Sequence, residues 1–262
     1  MIGAIAGDII GSVHEGAGTK TKLFPLFGPY NRFTDDTVLT VAVAESILLE
    51  SDLVDVLHDY FHRYPQAGYG GAFIEWAVQR RREPYNSWGN GSAMRVSSVG
   101  FAYDTLEDVM QQAERTAAVT HNHPEGIRGA QATAVAIYLA RTGCDKQAIR
   151  RHLVEVFGYE LSTPLDAIRE TYEFDISCQG SVPQSIVAFL EAEDFEDAIR
   201  NAISLGGDAD TMACIAGGIA EAYWGVPQEI EQQTLSYLDG KLRGVVGEFN
   251  RRFRMLTRGD TD

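Results

Sequence analysis

The sequence contains the stretch GGDADTMACIAGGIAEAYWG at residues 206–225. Its apolar residues recur at intervals of three and four, which predicts an α-helix. Ala213, Ala216, Gly217 and Ala220 make one narrow face of that helix, against which a second helix could pack very closely. Two glycines and two aspartates stand directly at the start of the apolar run. The same helix therefore begins with polar side chains whose purpose has to be explained.

The helical spacing recurs along most of the chain, whereas alternating strands bounded by hairpin turns are not found in the pattern. No linker, charge block or fixed-period repeat divides the sequence. We therefore predict an all-α protein, a compact single-domain helical bundle over residues 1–262. The other clear helical segments are residues 37–50, 53–64, 106–120 and 125–141.

The N-terminal IGAIAGDIIG carries Gly3, Gly7 and Gly11 at every fourth position. We interpret these glycines as a narrow helix face, because their spacing does not follow the GxGxxG pattern of dinucleotide-binding folds. Prolines interrupt helical spacing and are expected in loops. They stand at Pro25, Pro29, Pro65, Pro84, Pro124, Pro164, Pro183 and Pro227.

The charge balance excludes one broad class of partner. With 22 basic and 37 acidic residues the formal charge is −15, so direct binding to nucleic acid or to an anionic membrane is not expected.

No apolar run approaches the roughly 18 residues of a membrane span, and the N-terminus lacks the basic start of a signal peptide. Cys144, Cys178 and Cys214 form no CxxC pair, which fits a reducing compartment. We expect a soluble, cytoplasmic monomer.

Two short acidic stretches stand at the starts of predicted helices. RFTDDTVLT, residues 32–40, and GGDADT, residues 206–211, each supply two aspartates and a threonine. Helix capping explains either stretch taken alone, because Thr and Asp are favoured at the N-cap and Asp complements the positive end of a helix. Taken together, the two stretches offer more oxygens than capping uses.

Hard divalent cations accept such oxygens, and two ions about 3.5 to 4 Å apart can share bridging aspartates. We therefore interpret the two stretches as one binuclear site assembled by folding. Ligation by oxygen alone favours two Mg²⁺ or Mn²⁺ ions over zinc. The predicted metal ligands are Thr34, Asp35, Asp36, Asp208, Asp210 and Thr211.

NSWGNGSAMR, residues 86–95, is a third informative stretch. Gly89 and Gly91 free the backbone to turn its amides toward an anion, and Ser92 is placed to cap the helix that follows. Trp88 offers a flat face for a base or a sugar. The alternative is an ordinary turn with a buried tryptophan.

Six motifs in a fixed order resemble the ADP-ribosylglycohydrolase family, whose members include the dinitrogenase reductase-activating glycohydrolase and the ADP-ribosylserine hydrolases. The resemblance implies an all-helical fold with a dinuclear Mg²⁺ or Mn²⁺ centre in a cleft. The motifs are GAIAGDIIGSVHEG, RFTDDT, GNGSAMRV, the TH of THNHPEG, CQGSVPQSIVAFL and LGGDADTMACIAGGIAEAYWG.

The resemblance also implies roles for individual residues. The six metal ligands carry over, and Asp35 and Asp210 are expected to be catalytic together with Glu15, which matches an acidic residue near the scissile bond. His121 matches a histidine beside the distal part of ADP-ribose. The residues implied to hold the diphosphate and its surroundings are Ser87, Trp88, Gly89, Asn90, Gly91, Ser92 and Met94.

The implied reaction is hydrolysis of the N- or O-glycosidic bond between ADP-ribose and an acceptor, either a modified protein side chain or a small conjugate. One alternative is a non-catalytic ADP-ribose-binding or structural member, as among lens crystallins. Another is a metal-dependent phosphohydrolase, a class that ordinarily uses an adjacent His–Asp pair, whereas the histidines of HDYFH (58–62) are assigned to a helix surface or core. Ala209 replaces the threonine of many relatives, and the chain is shorter than several animal members, so residues 16–33 form its own candidate lid.

Overall fold

The computed structural model describes residues 1–253, which form fifteen helices and no β-strand. An isolated antiparallel bridge between Gly89 and Ser177 is the one β-type pairing among these residues. The prediction of an all-helical protein is therefore confirmed.

The helices are, in chain order, α1 Ile2–Gly11, α2 Asp35–Leu49, α3 Leu53–Arg63, α4 Gly71–Val78, α5 Gly91–Met94, α6 Ser97–Ala102, α7 Leu106–Ala118, α8 Pro124–Arg141, α9 Lys146–Phe157, α10 Leu165–Thr171, α11 Cys178–Leu190, α12 Phe195–Ile203, α13 Ala209–Trp224, α14 Gln228–Tyr237 and α15 Gly240–Phe253.

Side chains at the N-caps explain why several helices begin where they do. The carboxylates of Asp52, Asp145 and Asp194 accept hydrogen bonds from the first free backbone N–H groups of α3, α9 and α12. Such caps satisfy donors that have no partner inside the helix. Helix α9 ends at Gly158, whose φ of 64° is left-handed, a conformation that favours glycine.

Helix α13 lies at the centre of the protein. It packs against α1, α8, α11 and α12, and every residue from Ala209 to Ala220 is buried. The stretch that predicted close packing is thus surrounded by helices.

The tightest contact joins α1 to α13. A Cβ on Gly7 would lie 2.0 Å from the carbonyl oxygen of Ala213, and a Cβ on Gly3 would lie 2.3 Å from that of Gly217. Side-chain carbons do not approach a backbone so closely, so these positions require glycine. The crossing brings the C-terminal half of α1 against the first turn of α13, where a Cβ on Gly11 would lie 2.4 Å from the Cα of Asp210.

The expected positions of two prolines in loops were wrong. Pro183 lies inside α11, where it removes one backbone N–H from the hydrogen-bond ladder. Pro124 also departs from the expectation, because it is the first residue of α8, whereas Pro164 and Pro227 precede α10 and α14 as N-cap residues, as the spacing predicted. Pro183 is among the buried residues of α11.

The segment between α1 and α2 contains the candidate lid and is tied to the body of the protein. Lys20 Nζ donates to the backbone oxygens of Tyr172 and Leu205, each at 2.6 Å. Arg200 donates to the backbone oxygens of Lys22 and Phe24 at 2.7 and 2.8 Å. The segment that carries Glu15 is therefore anchored close to the residues that precede α13.

None of the helices within residues 1–253 combines the length and the apolar character needed to cross a membrane. Cys144, Cys178 and Cys214 are free thiols.

The α1–α13 crossing makes a stability prediction. We expect Gly7→Ala to lower the free energy of unfolding by at least about 2 kcal/mol, because the added methyl group overlaps the backbone of α13. Urea unfolding followed by circular dichroism measures this change.

Gly247→Ala in α15 is the matched control, since a Cβ there meets no atom within 4 Å. Alanine is favoured over glycine in a helix by up to about 1 kcal/mol, so the control is expected to be neutral or stabilising. Equal effects of the two substitutions would contradict the packing argument.

Candidate active site

The two acidic stretches of the sequence meet at one end of the bundle. Thr211 at the start of α13 donates from Oγ1 to Oδ2 of Asp36 at the start of α2, at 3.2 Å, although the two residues are 175 positions apart. Asp36, Asp208 and Asp210 are all buried. Folding thus gathers carboxylates that are distant in the chain.

Asp8 is part of this cluster, and sequence reasoning missed it. Its carboxylate accepts four hydrogen bonds, from the backbone N–H and the hydroxyl groups of Thr34 and Thr37. Asp8 therefore holds the first turn of α2 against α1. The signal was present in the sequence as a single aspartate inside the apolar IGAIAGDIIG, because a buried charge needs partners.

The carboxylates form two groups that share one member. Oxygens of Asp8, Asp36 and Asp210 lie within 4.8 Å of one another, and so do oxygens of Glu15, Asp208 and Asp210. Glu15 is exposed, in the turn that follows α1, whereas the four aspartates are buried. The shared Asp210 joins a buried group to one that reaches solvent.

Asp35 lies beside these groups and belongs to neither. It is half-buried, and its backbone N–H donates to the oxygen of Ala67 at 2.9 Å. Its Oδ1 lies 3.5 Å from the place where a Cβ on Gly68 would stand. The loop between α3 and α4 therefore forms the wall next to Asp35.

Helix capping accounts for only one of the predicted site residues. Thr34 caps α2 by accepting a hydrogen bond from Asp36 N. Asp208 occupies the N-cap position of α13 but makes no capping hydrogen bond; instead it accepts from the side-chain amide of Asn90 at 2.8 Å. The carboxylates are therefore in excess of what the helix ends require.

The pKa values of the carboxyl groups in the cluster are raised above their ordinary values. Burial, followed by repulsion from neighbouring carboxylates, raises the pKa of Asp36 and Asp210 well above the usual range. Burial and the charges of Asp8, Asp208 and Glu15 raise the pKa of Asp35 to about 8. Burial is likewise the main reason that the pKa values of Asp8, Asp208 and Glu15 are raised.

No basic side chain compensates this charge by direct pairing. Within residues 1–253, none of the six carboxylates forms an ion pair with Lys, Arg or His. Oδ1 of Asp36 is buried without any hydrogen-bond partner. The cluster thus offers six crowded carboxyl groups, one of which has a buried oxygen without a hydrogen-bond partner. This arrangement fits the preference of Mg²⁺ or Mn²⁺ for oxygen ligands.

The loop of residues 86–95 lies beside the cluster and is paired with the segment before α11. Asn90 N donates to the oxygen of Ile176 at 2.8 Å, and Cys178 N donates to the oxygen of Trp88 at 2.9 Å. The Trp88 side chain is 53% exposed, and its ring lies 5.6 Å from that of His123. The alternative of a turn with a buried tryptophan was therefore wrong.

Three other predicted substrate residues of this loop, Ser87, Asn90 and Ser92, form hydrogen bonds within the protein. Ser87 Oγ accepts from Gly89 N at 3.1 Å, and the Asn90 amide bonds Asp208 and Ser181. Ser92 is buried and donates to the oxygen of Gly126 at 2.7 Å. The expectation that Ser92 caps the following helix was wrong, because Asn90 is the N-cap of α5 and no side chain caps that helix.

Met94 lies under the acidic cluster. It is buried, and its sulfur is 4.0 Å from the hydroxyl of Thr211. Its backbone oxygen accepts from Thr40 at 3.2 Å and from Cys214 at 3.3 Å. This geometry supports the cluster from below, while a contact between Met94 and substrate stays a prediction.

His121 faces the same loop from the end of α7. It is buried, with Nδ1 2.8 Å from the hydroxyl of Thr120. Its Nε2 lies 3.2 Å from the place where a Cβ on Gly91 would stand. A glycine at that position leaves the ring room beside the loop.

The His–Asp pair that a phosphohydrolase would use does not take part in the cluster. His58 is buried in α3, stacks on Trp76 with ring centroids 4.2 Å apart and bonds the oxygen of Arg81 at 2.9 Å. Asp59 is exposed. His58 is thus a core residue, one of the two positions, helix surface or core, that the sequence left open.

A model of the family described as ADP-ribosylglycohydrolase matches residues 1–261. The chain belongs to the ADP-ribosylglycohydrolase family. The resemblance found in the six sequence motifs is thereby confirmed, and membership identifies the protein as a hydrolytic enzyme.

Similar proteins support this assignment. The chain is 28% identical to the human protein "ADP-ribosylhydrolase ARH3" over 322 residues, covering 90% of this chain and 88% of that one. It is 24% identical to "ADP-ribosylarginine hydrolase Tri1" of Pseudomonas putida over 279 residues, covering 86% of this chain and 70% of that one. A solved structure of an "ADP-ribosylglycohydrolase-related protein complex" matches with a TM-score of 0.70 and 26% identity, covering 96% of both chains.

The human alignment spans 322 positions, more than the 262 residues of this family member. The relative therefore carries insertions, in agreement with the expectation that this chain is shorter than animal members. The role of segment 16–33 of this chain therefore has to be inferred from the residues of this chain and not from the relative.

The raised pKa of Asp35 predicts an unusual dependence of stability on pH. Its folded value of about 8 exceeds the ordinary value of 3.8, so the stabilisation from its protonated form is lost as pH rises through about 8. In EDTA at pH 8.5 we expect Asp35→Asn to melt at least about 2 °C above the wild type, the shift that about 1 kcal/mol produces in a chain of this size.

The difference in melting temperature between Asp35→Asn and the wild type should shrink at pH 5, where the carboxyl group of the folded wild type is protonated. Saturating Mg²⁺ should reverse it at pH 8.5, because a ligand of the folded state stabilises the wild type more than a variant that lacks a charge at the site. Differential scanning fluorimetry measures all three conditions. A wild type that is the more stable protein in EDTA at pH 8.5 would contradict the electrostatic account.

Proposed function

We propose that this protein hydrolyses the N- or O-glycosidic bond between ADP-ribose and an acceptor, which is a modified protein side chain or a small ADP-ribose conjugate. The observation that carries the proposal is a family match over residues 1–261 together with six crowded carboxyl groups at the end of the bundle. Relatives with 28% and 24% identity are named as an ADP-ribosylhydrolase and an ADP-ribosylarginine hydrolase.

Two divalent ions, Mg²⁺ or Mn²⁺, are the proposed cofactors. The two overlapping carboxylate groups, which share Asp210, support a pair of ions over a single one. A bound divalent ion would fix sugar hydroxyls and lower the pKa of a water molecule. The proposed ligands are those expected from the sequence, Thr34, Asp35, Asp36, Asp208, Asp210 and Thr211, with Asp8 added from the structure.

Glu15 is the proposed proton-transfer residue. It is the exposed member of the cluster, so it can reach a leaving group that enters from solvent. Burial of part of its side chain and the neighbouring Asp208 raise its pKa, the direction that favours a carboxyl group acting as a general acid. Asp35, with a pKa raised to about 8, is the second carboxyl group available to orient a water molecule.

The loop of residues 86–95 is the proposed diphosphate site. Its pairing with the segment before α11 through Gly89 and Ser177 gives it a fixed shape beside the cluster. The exposed ring of Trp88 is available for stacking on a base or a sugar, a contact that aromatic faces make readily.

The same proposal covers the domain organisation of the chain, its oligomeric state and compartment, and its partners. We take residues 1–262 as one domain, since α1 packs against α14 and α2 packs against α15, which joins the two ends of the described chain. We take the protein as a monomer of the cytoplasm, with free cysteines that suit a reducing compartment. A net charge of −15 argues against nucleic acid as a partner.

The direct experiment incubates the protein with ADP-ribosylated arginine, ADP-ribosylated serine and O-acetyl-ADP-ribose, with Mg²⁺ or with EDTA. We expect release of free ADP-ribose from at least one of them, in the presence of Mg²⁺ only. Release from none would favour a non-catalytic, crystallin-like member.

Asp210→Asn tests the shared ligand. We expect turnover to fall at least about 100-fold with the helical circular dichroism almost unchanged, because the amide keeps the shape of the side chain and removes its charge. Glu229→Gln in the first turn of α14 is the matched control, since Glu229 is also acidic at a helix start but exposed and outside the cluster. Its turnover should equal that of the wild type, and an active Asp210→Asn enzyme would remove Asp210 from the mechanism.

Trp88→Ala tests the diphosphate loop. We expect the affinity for ADP-ribose, measured by calorimetry, to fall about tenfold, within the range that loss of one stacking contact produces. Leu49→Ala is the control, because Leu49 is also a large exposed apolar side chain, at 67%, but lies at the C-terminal end of α2, opposite the end that carries the acidic cluster. Unchanged affinity of Trp88→Ala would exclude Trp88 from the site.

A further inference from the structure

A second hollow lies beside the carboxylate cluster, between the end of α1 and the segment that leads to α2. Its volume is about 560 Å³, and its walls are formed by residues 12–14 and by residues 25 and 28–32. None of its lining residues belongs to the loop of residues 86–95. The hollow is therefore separate from the proposed diphosphate site.

Buried hydrogen bonds fix the outer wall of this hollow on α1. Asn31 is 8% exposed, and its side-chain amide donates to the backbone oxygens of Ile9 and Ile10 at 2.7 and 3.2 Å. Its Oδ1 accepts from Gly28 N at 2.7 Å, and the oxygen of Gly28 accepts from the hydroxyl of Tyr237 at 3.0 Å. The hollow is thus built by the folded chain itself, before any ligand binds.

The hollow lies next to Glu15, the proposed proton-transfer residue. His14, which directly precedes Glu15, and Arg32 both line it. The backbone N–H of Arg32 donates to Oγ of Ser12 at 3.1 Å, which joins the two walls. The positive charge of Arg32 partly offsets the rise in the pKa of Glu15 that burial and Asp208 produce. Arg32 therefore acts within electrostatic reach of the proton-transfer group.

The order of contacts places the hollow on the far side of Glu15 from the diphosphate loop. Asn90 of that loop donates to Asp208 at 2.8 Å, and oxygens of Asp208 and Glu15 belong to one carboxylate group. The sequence of neighbours runs from the loop through Asp208 to Glu15 and then to the hollow. A substrate with its diphosphate in the loop and its scissile bond at Glu15 directs its acceptor toward the hollow.

Arg32 is the charged side chain of the lining at neutral pH. Within residues 1–253 the lining contains no Asp or Glu, and burial lowers the pKa of His14, so its ring is neutral at pH 7. Arg32 is exposed, and in the same part of the chain its guanidinium group forms no ion pair. Lys20 and Lys22 of the same segment are engaged with backbone oxygens and with Asp197. An unpaired cation thus lines a preformed hollow in a protein of net charge −15.

The remaining surface of the hollow is largely apolar. Val13 and Tyr30 are 39% and 82% exposed, and Pro25 and Pro29 complete this part of the lining. Exposed apolar groups around a polar centre are typical of a surface that binds a partner. The volume exceeds what a small ion requires and falls in the range of sites for larger ligands. These properties favour a peptide segment as the occupant.

We propose that this hollow is the acceptor subsite, and that Arg32 determines its specificity by binding an acidic residue next to the modified side chain of an ADP-ribosylated peptide. The inference rests on the proposed function for the reaction itself. A guanidinium group attracts a carboxylate and repels a lysine or arginine side chain at the same place. Arg32 therefore selects among acceptors by the charge of the residues beside the modified one.

The test compares peptides that differ only beside the modified residue. Two series carry ADP-ribosylated serine or ADP-ribosylated arginine, with Glu, Gln or Lys on both sides, and release of ADP-ribose with Mg²⁺ gives kcat/KM. In the series that the wild type hydrolyses, we expect the Glu peptide to be preferred to the Lys peptide at least about fivefold, within the range of an exposed ion pair. Arg32→Gln should bring this ratio near one, and Arg32→Glu should reverse it.

The ratio between peptides distinguishes the subsite from an effect on Glu15. A substitution at Arg32 that acted only through Glu15 would change kcat/KM of all three peptides by the same factor. Arg151→Glu is the matched control, because Arg151 is also an exposed arginine and the substitution changes the net charge equally. It lies in α9, which packs on α8, outside the hollow and the cluster, so its ratio should equal that of the wild type.

The outcomes separate the subsite from the reaction. Equal kcat/KM for the Glu and Lys peptides in the wild type, or an Arg32→Glu protein with the wild-type ratio, would overturn the inference. Hydrolysis of O-acetyl-ADP-ribose without hydrolysis of any peptide would overturn the acceptor subsite and leave the proposed function in place. Hydrolysis of neither the peptides nor O-acetyl-ADP-ribose would overturn the proposed function and the subsite together.

Discussion

The crossing of α1 and α13 is the constraint on which the rest of the structure depends. Gly3, Gly7 and Gly11 let the two backbones touch, and this contact sets how near Asp8 on α1 comes to Asp210 on α13. The hydrogen bonds that Asp8 accepts from the backbone of Thr34 and Thr37 then add Asp36 to the same place. Small residues that would otherwise weaken a helix thus determine the geometry of the acidic cluster.

The site contains uncompensated charge of both signs. Burial raises the pKa values of six carboxyl groups, and repulsion from neighbouring carboxylates of the cluster adds to this at Glu15, Asp35, Asp36 and Asp210. Burial also lowers the pKa of Arg95 to about 10. Either arrangement opposes folding in the absence of a ligand. Divalent cations at the carboxylates would relieve the repulsion among them, and local conflict of this kind is expected where a protein binds a ligand.

Much of the fold, but less of the site, could be predicted from the sequence. Helical periodicity located α13 within two residues at its start, because a buried amphipathic helix has a regular pattern. Asp8 was missed, because its partners lie 26 and 29 residues away and only folding brings them together. The hydroxyl of Ser92 was expected to cap a helix, but it donates instead to the oxygen of Gly126. Pro183 was expected in a loop, but it lies buried inside α11. Local preference alone shows none of these contacts.

We propose that the crowded carboxylates hold a pair of divalent ions. Anomalous X-ray diffraction from crystals of the protein equilibrated with Mn²⁺ would locate such ions. We expect two anomalous peaks about 4 Å apart or less, with oxygens of Asp36, Asp208 and Asp210 at ligand distance. Crystals saturated with Mn²⁺ that show no peak at these oxygens, with the carboxyl groups still bonded only to protein, would contradict it.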